Sequence, residues 1–130
     1  MSVSRVTCKV VVRAKGEMEV DLYKHLAPVT ISAILRALPL NARVTIYPKA
    51  MVCILTGLRS GVEKPRYQFS KGEVAFLAAN GSICFFTSAA NSNSPLNPIG
   101  KISRNEALLD ALVPGDVMEV SQALTSDVQT

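Results

Sequence analysis

A chain of 130 residues, 48% of them hydrophobic, has material for one domain with a filled core. Fourteen Lys and Arg against ten Asp and Glu leave a net charge of +4, but the richest basic patch, Arg59, Lys64, Arg66 and Lys71, is interrupted by Glu63. It reads as a solvated loop, so nucleic acid is not an expected partner. No apolar run approaches the ~18 to 20 residues of a membrane-spanning helix, so a membrane is not an expected partner either. Lys9, Arg13 and Lys15 come too early for a signal peptide, and the expected location is the cytoplasm.

Val6–Val12 is β-branched apart from Cys8 and Lys9, as in a buried strand. After a turn at Lys15–Gly16, Glu17–Leu22 alternates and sets Met18, Val20 and Leu22 on one face. The two strands predict a hairpin. Pro28, Val29 and Thr30 open a helix with Thr30 as N-cap, and Ile31, Ile34, Leu35 and Leu38 form its apolar stripe. Pro39 stops it. The stripe should cover an opening in the sheet.

Arg43–Tyr47 and Met51–Gly57 are predicted strands separated by a bend at Pro48–Lys49, and residues 58–70 read as a loop. Val74–Leu77 and Ile83–Phe86 make a second hairpin around Asn80–Gly81, a dipeptide that favours positive backbone angles. Residues 88–98, rich in Ser, Asn, Ala and Pro, read as a polar loop before a short strand, Pro98–Ile102. Asn105–Leu112 is a short helix capped by Ser103 or Asn105; Pro114–Asp116 is a turn; Val117–Val120 is the last strand. Residues 1–124 form a single domain and 125–130 a frayed tail.

The total is about eight strands and two short helices, with no internal repeat. Many short strands joined by hairpins favour a mainly β barrel or sandwich. A closed barrel, its ends capped by the helices, removes the sheet edges that so apolar a strand set would expose.

Cys8, Cys53 and Cys84 are odd in number and widely spaced. This argues against a disulfide framework and against a zinc site, so each is expected as a small buried hydrophobe. His25, the single histidine, lies just before the helix and offers no base to a thiol. No paired carboxylates, P-loop, dinucleotide fingerprint or zincin motif is present. Neither a cofactor nor a metal is expected.

The segment Asn80–Gly81–Ser82–Ile83–Cys84–Phe85–Phe86 resembles the Asn-Gly-Ser-Gln-Phe-Phe segment of cyclophilins, and Ile99–Gly100–Lys101–Ile102 resembles their Phe-Gly-Lys-Val strand. Gly72–Val74, Cys84–Phe86 and Pro98–Ile102 are similar, more closely, to small prokaryotic cyclophilin-like proteins of minimal length and uncharacterised function. The resemblance covers most of the chain as topology and about thirty residues as motif. It implies a closed cyclophilin-like barrel with a cleft beside the 80–98 hairpin and loop.

Carried over by position, Phe85 matches a pocket phenylalanine, Ile83 stands where a glutamine would be, and Leu96 falls near a rim histidine. Aligning Pro48 and Met51 with a family Pro-x-x-Met puts Thr45 at the catalytic arginine, Ala50 at a second pocket phenylalanine and Cys53 at a second glutamine. Arg43, two residues away on the same strand face, is then the candidate catalytic residue. The candidate ligand-binding residues are Tyr47, Met51, Asn80, Ser82, Phe85 and Asn97.

Several readings stay open. One of Phe85 and Phe86 lines a cleft, or both are buried; the asparagines 80, 91, 93 and 97 serve turns, or their amides wall a cleft. Tyr47 and Tyr67 pack, or present a hydroxyl. An isomerase must lower a rotation barrier of about 18 to 20 kcal/mol with donors placed in a dry pocket, and Phe85 supplies area but no donor. The expected function is therefore binding of a peptide segment or small apolar ligand without efficient catalysis. The alternatives are a divergent, weak prolyl isomerase using Arg43 or Arg66, and a structural or regulatory protein acting through a homodimer or partner interface. An arginine within reach of the pocket beside Phe85 would favour the isomerase; a closed cleft and a large apolar patch would favour the interface.

Overall fold

The strand that organises the molecule is β8, which pairs with three different partners along its length. In a computed structural model that describes residues 5–48 and 50–123, the elements are β1 (Arg5–Val12), β2 (Gly16–Tyr23), α1 (Pro28–Ala37), β3 (Leu40–Tyr47), β4 (Met51–Leu55), β5 (Arg66–Phe69), β6 (Glu73–Leu77), β7 (Ser82–Phe86), β8 (Ala90–Arg104) and β9 (Val117–Gln122). A 3₁₀ helix, Glu106–Ala111, joins the last two strands. The expected tail 125–130 lies outside the described residues.

The strands run β2-β1-β9-β3-β4-β7-β6-β8, and β8 pairs back to β2. An eight-stranded antiparallel barrel is thereby closed, with no open edge of its own. Along β8, residues 90–96 pair with β5, 97–101 with β6 and 100–104 with β2. At the crossover Gly100 opposes both Val74 and Leu22, and a Cβ there would collide with the Asp21 carbonyl oxygen. Only glycine lets the backbones meet so closely.

The interior follows the alternation read from the sequence. Cys8, Val10 and Val12 of β1 and Met18, Val20 and Leu22 of β2 are buried in one core with Val52, Ile54, Val74, Phe76, Ile83 and Phe85. Ile31 and Ile34 of α1, and Leu108 and Leu109 of the 3₁₀ helix, press into the same core.

Several local expectations are corrected. Thr30 is not the N-cap: the cap position lies three residues earlier, at Ala27, with Pro28 in the first turn, where its fixed φ suits the helix and its missing N–H costs nothing. The capping oxygen comes from far along the chain, from Glu63, as described below. Asn105 precedes the 3₁₀ helix in a left-handed conformation (φ 61°) and makes no side-chain cap; its Nδ2 donates to Glu17 O instead. The second hairpin turns over four residues, 78–81, with Gly81 N–H donating to Leu77 O. Gly81 (φ +76°) takes a positive angle and Asn80 does not.

The largest correction concerns residues 88–98. Most of this polar loop is the first arm of β8, and the loop 58–70 contains its partner β5. The arm borders solvent on one side, so its composition is that of a loop while its backbone pairs as a strand.

Candidate functional site

A second apolar cluster lies outside the barrel. Alternation turns Cys53 of β4, Cys84 and Phe86 of β7, and Ala75 of β6 away from the interior, where Phe69 of β5 and Leu96 of β8 cover them. β5 and the first arm of β8 thus form a flap over the outer face of three barrel strands. Phe69 stacks on Phe86 with centroids 4.6 Å apart and planes at 11°. The Arg66 guanidinium lies 4.7 Å above the Phe69 ring. Its NH2 group donates to Glu73 Oε1 at 2.7 Å and to Gln68 O at 3.2 Å. Glu73 Oε1 also accepts from Ser70 N–H at 2.7 Å.

Arg66–Ser70 and Ala89–Asn91 line an open groove of about 900 Å³. Tyr67 stands at its wall, 52% exposed. The pairing partners Arg66–Leu96 and Gln68–Asn91 leave residues 92–95 looped out opposite Tyr67. Ser92 ties this bulge, donating from Oγ to Ser94 O at 2.7 Å and accepting from Ser94 N–H at 3.1 Å. The groove therefore combines an aromatic floor, one guanidinium, and amide and hydroxyl groups at its walls. Such a mixture suits an extended backbone with an apolar side chain.

A second cleft, about 700 Å³, lies between residues 57–61 and the 78–81 turn. Its loop is held by a buried polar clamp. Asn97 Oδ1 accepts from Glu63 N–H at 2.7 Å, while Asn97 Nδ2 donates to Gly61 O at 2.8 Å and to Thr30 Oγ1 at 3.1 Å. The Glu63 carboxylate accepts from Val29 N–H at 3.0 Å, Thr30 N–H at 2.7 Å and Thr30 Oγ1 at 2.6 Å. It thus satisfies the exposed amides at the start of α1. Burial works to raise the Glu63 pKa, but these hydrogen bonds and the Lys64 charge outweigh it and hold the carboxyl below its ordinary range.

The structure scatters the residues singled out in the sequence. Tyr47 and Met51 are ladder partners, and Met51 faces Phe86, so these two border the outer cluster. Asn80 and Ser82 lie at the opposite end of β7 near the second cleft, with Ser82 buried. Phe85 is 1% exposed and faces the barrel interior among apolar side chains. Asn97, also 1% exposed, spends its amide inside the clamp. Arg43 is exposed and donates to Gly115 O at 3.1 Å, while Arg66 lies over Phe69, not Phe85. Thr45 is exposed opposite Cys53, and Leu96 is buried on the inner side of the flap. Tyr67, weighed in the sequence as packing or presenting a hydroxyl, stands at the groove; Gln68 and Phe69 were missed, and the signal was the alternation in Arg66–Phe69, hidden by the Gly- and Pro-bearing stretch before it.

The three thiols are free and buried. Burial, with the Asp21 charge, pushes Cys8 up to about 11. The hydrogen bond to Cys53, then burial, holds Cys84 protonated far above the usual thiol range. Among the described residues no cluster of three or more His, Cys, Asp or Glu could hold a metal ion, and no helix is long and apolar enough to cross a membrane.

No protein-family profile and no curated protein matches the chain by sequence. Solved structures do match. The hypothetical protein AF2241 from Archaeoglobus fulgidus is similar with a TM-score of 0.77 at 23% identity, over 94% of this chain and 98% of that one. The chain shares its barrel fold. McbB, solved in complex with tryptophan, is similar with a TM-score of 0.72 at 16% identity over 92% of this chain, which spans 46% of McbB. At these identities the likeness is one of fold.

Proposed function

We propose that this chain is a cyclophilin-like binding protein that holds a peptide segment or a small apolar ligand in the groove beside β5, without efficient catalysis. The observation that carries this reading is the open groove of about 900 Å³ lined by Arg66–Ser70 and Ala89–Asn91, with Tyr67 exposed at its wall. β5 is the end strand of the sheet order, and its free side offers backbone groups to an extended peptide. Tyr67 offers apolar area with a polar tip, and Gln68 and Asn91 offer amides.

The test is an NMR titration of the labelled chain with capped Xaa-Pro dipeptides and with free tryptophan, the ligand of McbB. Saturable shifts at residues 66–70 and 89–91, lost in Tyr67→Ala, are expected. Shifts confined to the 57–61 cleft, or none at millimolar ligand, would overturn the reading.

Weak prolyl isomerase activity is the second reading, favoured by the Arg66 guanidinium lying over Phe69. Two engagements limit it: the NH2 group is bound to Glu73 and to Gln68 O, so the donor is committed before a substrate arrives. A prolyl isomerisation assay separates the two readings, because acceleration lost in Arg66→Ala belongs only to the second.

A further inference from the structure

Cys53 and Cys84 stand directly opposite each other on β4 and β7, with Sγ atoms 3.0 Å apart. The bonds at the two ends of this ladder decide what kind of pair they form. Thr87 N–H donates to Ala50 O, and Thr56 N–H donates to Gly81 O. Ala50–Thr87 and Thr56–Gly81 are thus the hydrogen-bonded kind, and the kinds alternate, so Cys53–Cys84 is a non-hydrogen-bonded pair. Cα atoms of such pairs lie about 4.5 Å apart, at the narrow end of the roughly 4.4–6.8 Å spanned by disulfides. The span lies within the disulfide range, so side-chain rotation alone brings the sulfurs to bonding distance.

Two further observations bear on selectivity and access. Cys8 belongs to the barrel interior while Cys53 and Cys84 belong to the outer cluster, so the barrel wall separates it from the pair. Both members of the pair are buried, at 4% and 0% exposure, in the cluster formed with Phe69 and Leu96 of the flap. An oxidant reaches them when β5 and the first arm of β8 lift.

We propose that Cys53 and Cys84 form a reversible dithiol–disulfide site whose oxidation is gated by the β5–β8 flap. The oxidant class is a hydroperoxide. The Cys53 sulfur attacks the peroxide oxygen, the O–O bond breaks as the thiol proton passes to the departing oxygen, and Cys53 becomes a sulfenic acid with release of water or an alcohol. The Cys84 sulfur then attacks the sulfenic sulfur, forming the S–S bond and expelling water. Two electrons pass from the thiols to the peroxide, and their two protons leave in the products. A dithiol reductant restores the pair by exchange. The site stands on the thiol geometry and does not depend on what the groove binds.

The test exposes the full chain to hydrogen peroxide, then denatures it in a maleimide and weighs it. The expected result is alkylation of all three cysteines before oxidation and of Cys8 alone after it. A peptide linking Cys53 to Cys84 should appear, and dithiothreitol should reverse the change. Cys8→Ser should oxidise at the same rate, and Cys53→Ser should form no intrachain bond. Phe69→Ala should oxidise faster by on the order of a hundredfold, from the loss of a packed ring that holds the flap. Leu96→Ala serves as the second flap variant if the first does not fold. Loss of thiols one at a time to sulfinic acid, or interchain dimers through Cys8, would overturn the site. An unchanged oxidation rate in a folded flap variant would overturn the gating.

Discussion

Replacing Phe69 by alanine should loosen the flap and leave the barrel intact. The ring is 4% exposed, stacked on Phe86 and covered by Arg66. Emptying a buried phenylalanine site costs about 3–5 kcal/mol, and the open groove beside this one lets neighbours and water relax into the space, which favours the lower end, about 3 kcal/mol. That loss falls on one side of the molecule, because Phe69 packs in the outer cluster and not in the barrel core. At about 1.4 kcal/mol per tenfold, flap opening should become more frequent by on the order of a hundredfold. Native-state hydrogen exchange reads this directly. Amides of Arg66–Phe69 and of residues 90–94 and 96 should exchange faster by that factor, while those of β1 and β9 keep their protection. Equal acceleration in β1 and β9 would refute the division into two cores, because flap and barrel would then open as one unit.

Asn97→Ala should cost about 2 kcal/mol in urea denaturation, since it leaves Glu63 N–H and Gly61 O without their partners in a part-buried clamp, while Thr30 Oγ1 keeps its bond to Glu63; a loss under about 1 kcal/mol would mean that water replaces the amide. Glu63 has a depressed folded pKa, so its contribution is present above the ordinary carboxylate pKa and fades as pH falls through the folded value. The urea midpoint of the parent should drop across that acid window, with a smaller drop in Glu63→Gln; equal drops would assign the acid sensitivity to other carboxylates. Gly100→Ala should leave little folded protein by circular dichroism, because its Cβ has no room beside Asp21 O; a cooperative, parent-like melt would show that the β8–β2 seam can shift. Tyr67→Ala should change stability by less than about 0.5 kcal/mol, as for an exposed side chain, while weakening ligand binding in the groove; unchanged affinity would remove Tyr67 from the site.

The barrel was legible because its signals are local and periodic: Met18, Val20 and Leu22 on one face, and Ile31, Ile34 and Leu35 along a helix. The same period-two rule explains the split of Phe85 and Phe86 between two cores, but it says nothing of which side is covered from outside. That depended on residues 90–96 returning over β7, a long-range pairing hidden by a loop-like composition. The Thr30 cap failed for a related reason: the oxygen that serves the helix belongs to Glu63, 33 residues away. Cys53 and Cys84 were legible as buried but not as partners, because 31 residues of sequence separate two positions that register sets face to face.

The seam between β2 and β8 also sets an order of events during synthesis. The hairpin of β1 and β2 is synthesised before both of its neighbours: one of its edges waits for residues 100–104 and the other for residues 118–122. Until residues 100–122 have emerged, two strands with a strongly apolar face remain unroofed, with backbone groups free to pair with another chain. Closure is then a late event joining distant segments, the kind of contact that slows folding. The nascent chain, rather than the finished barrel, is the species most exposed to aggregation.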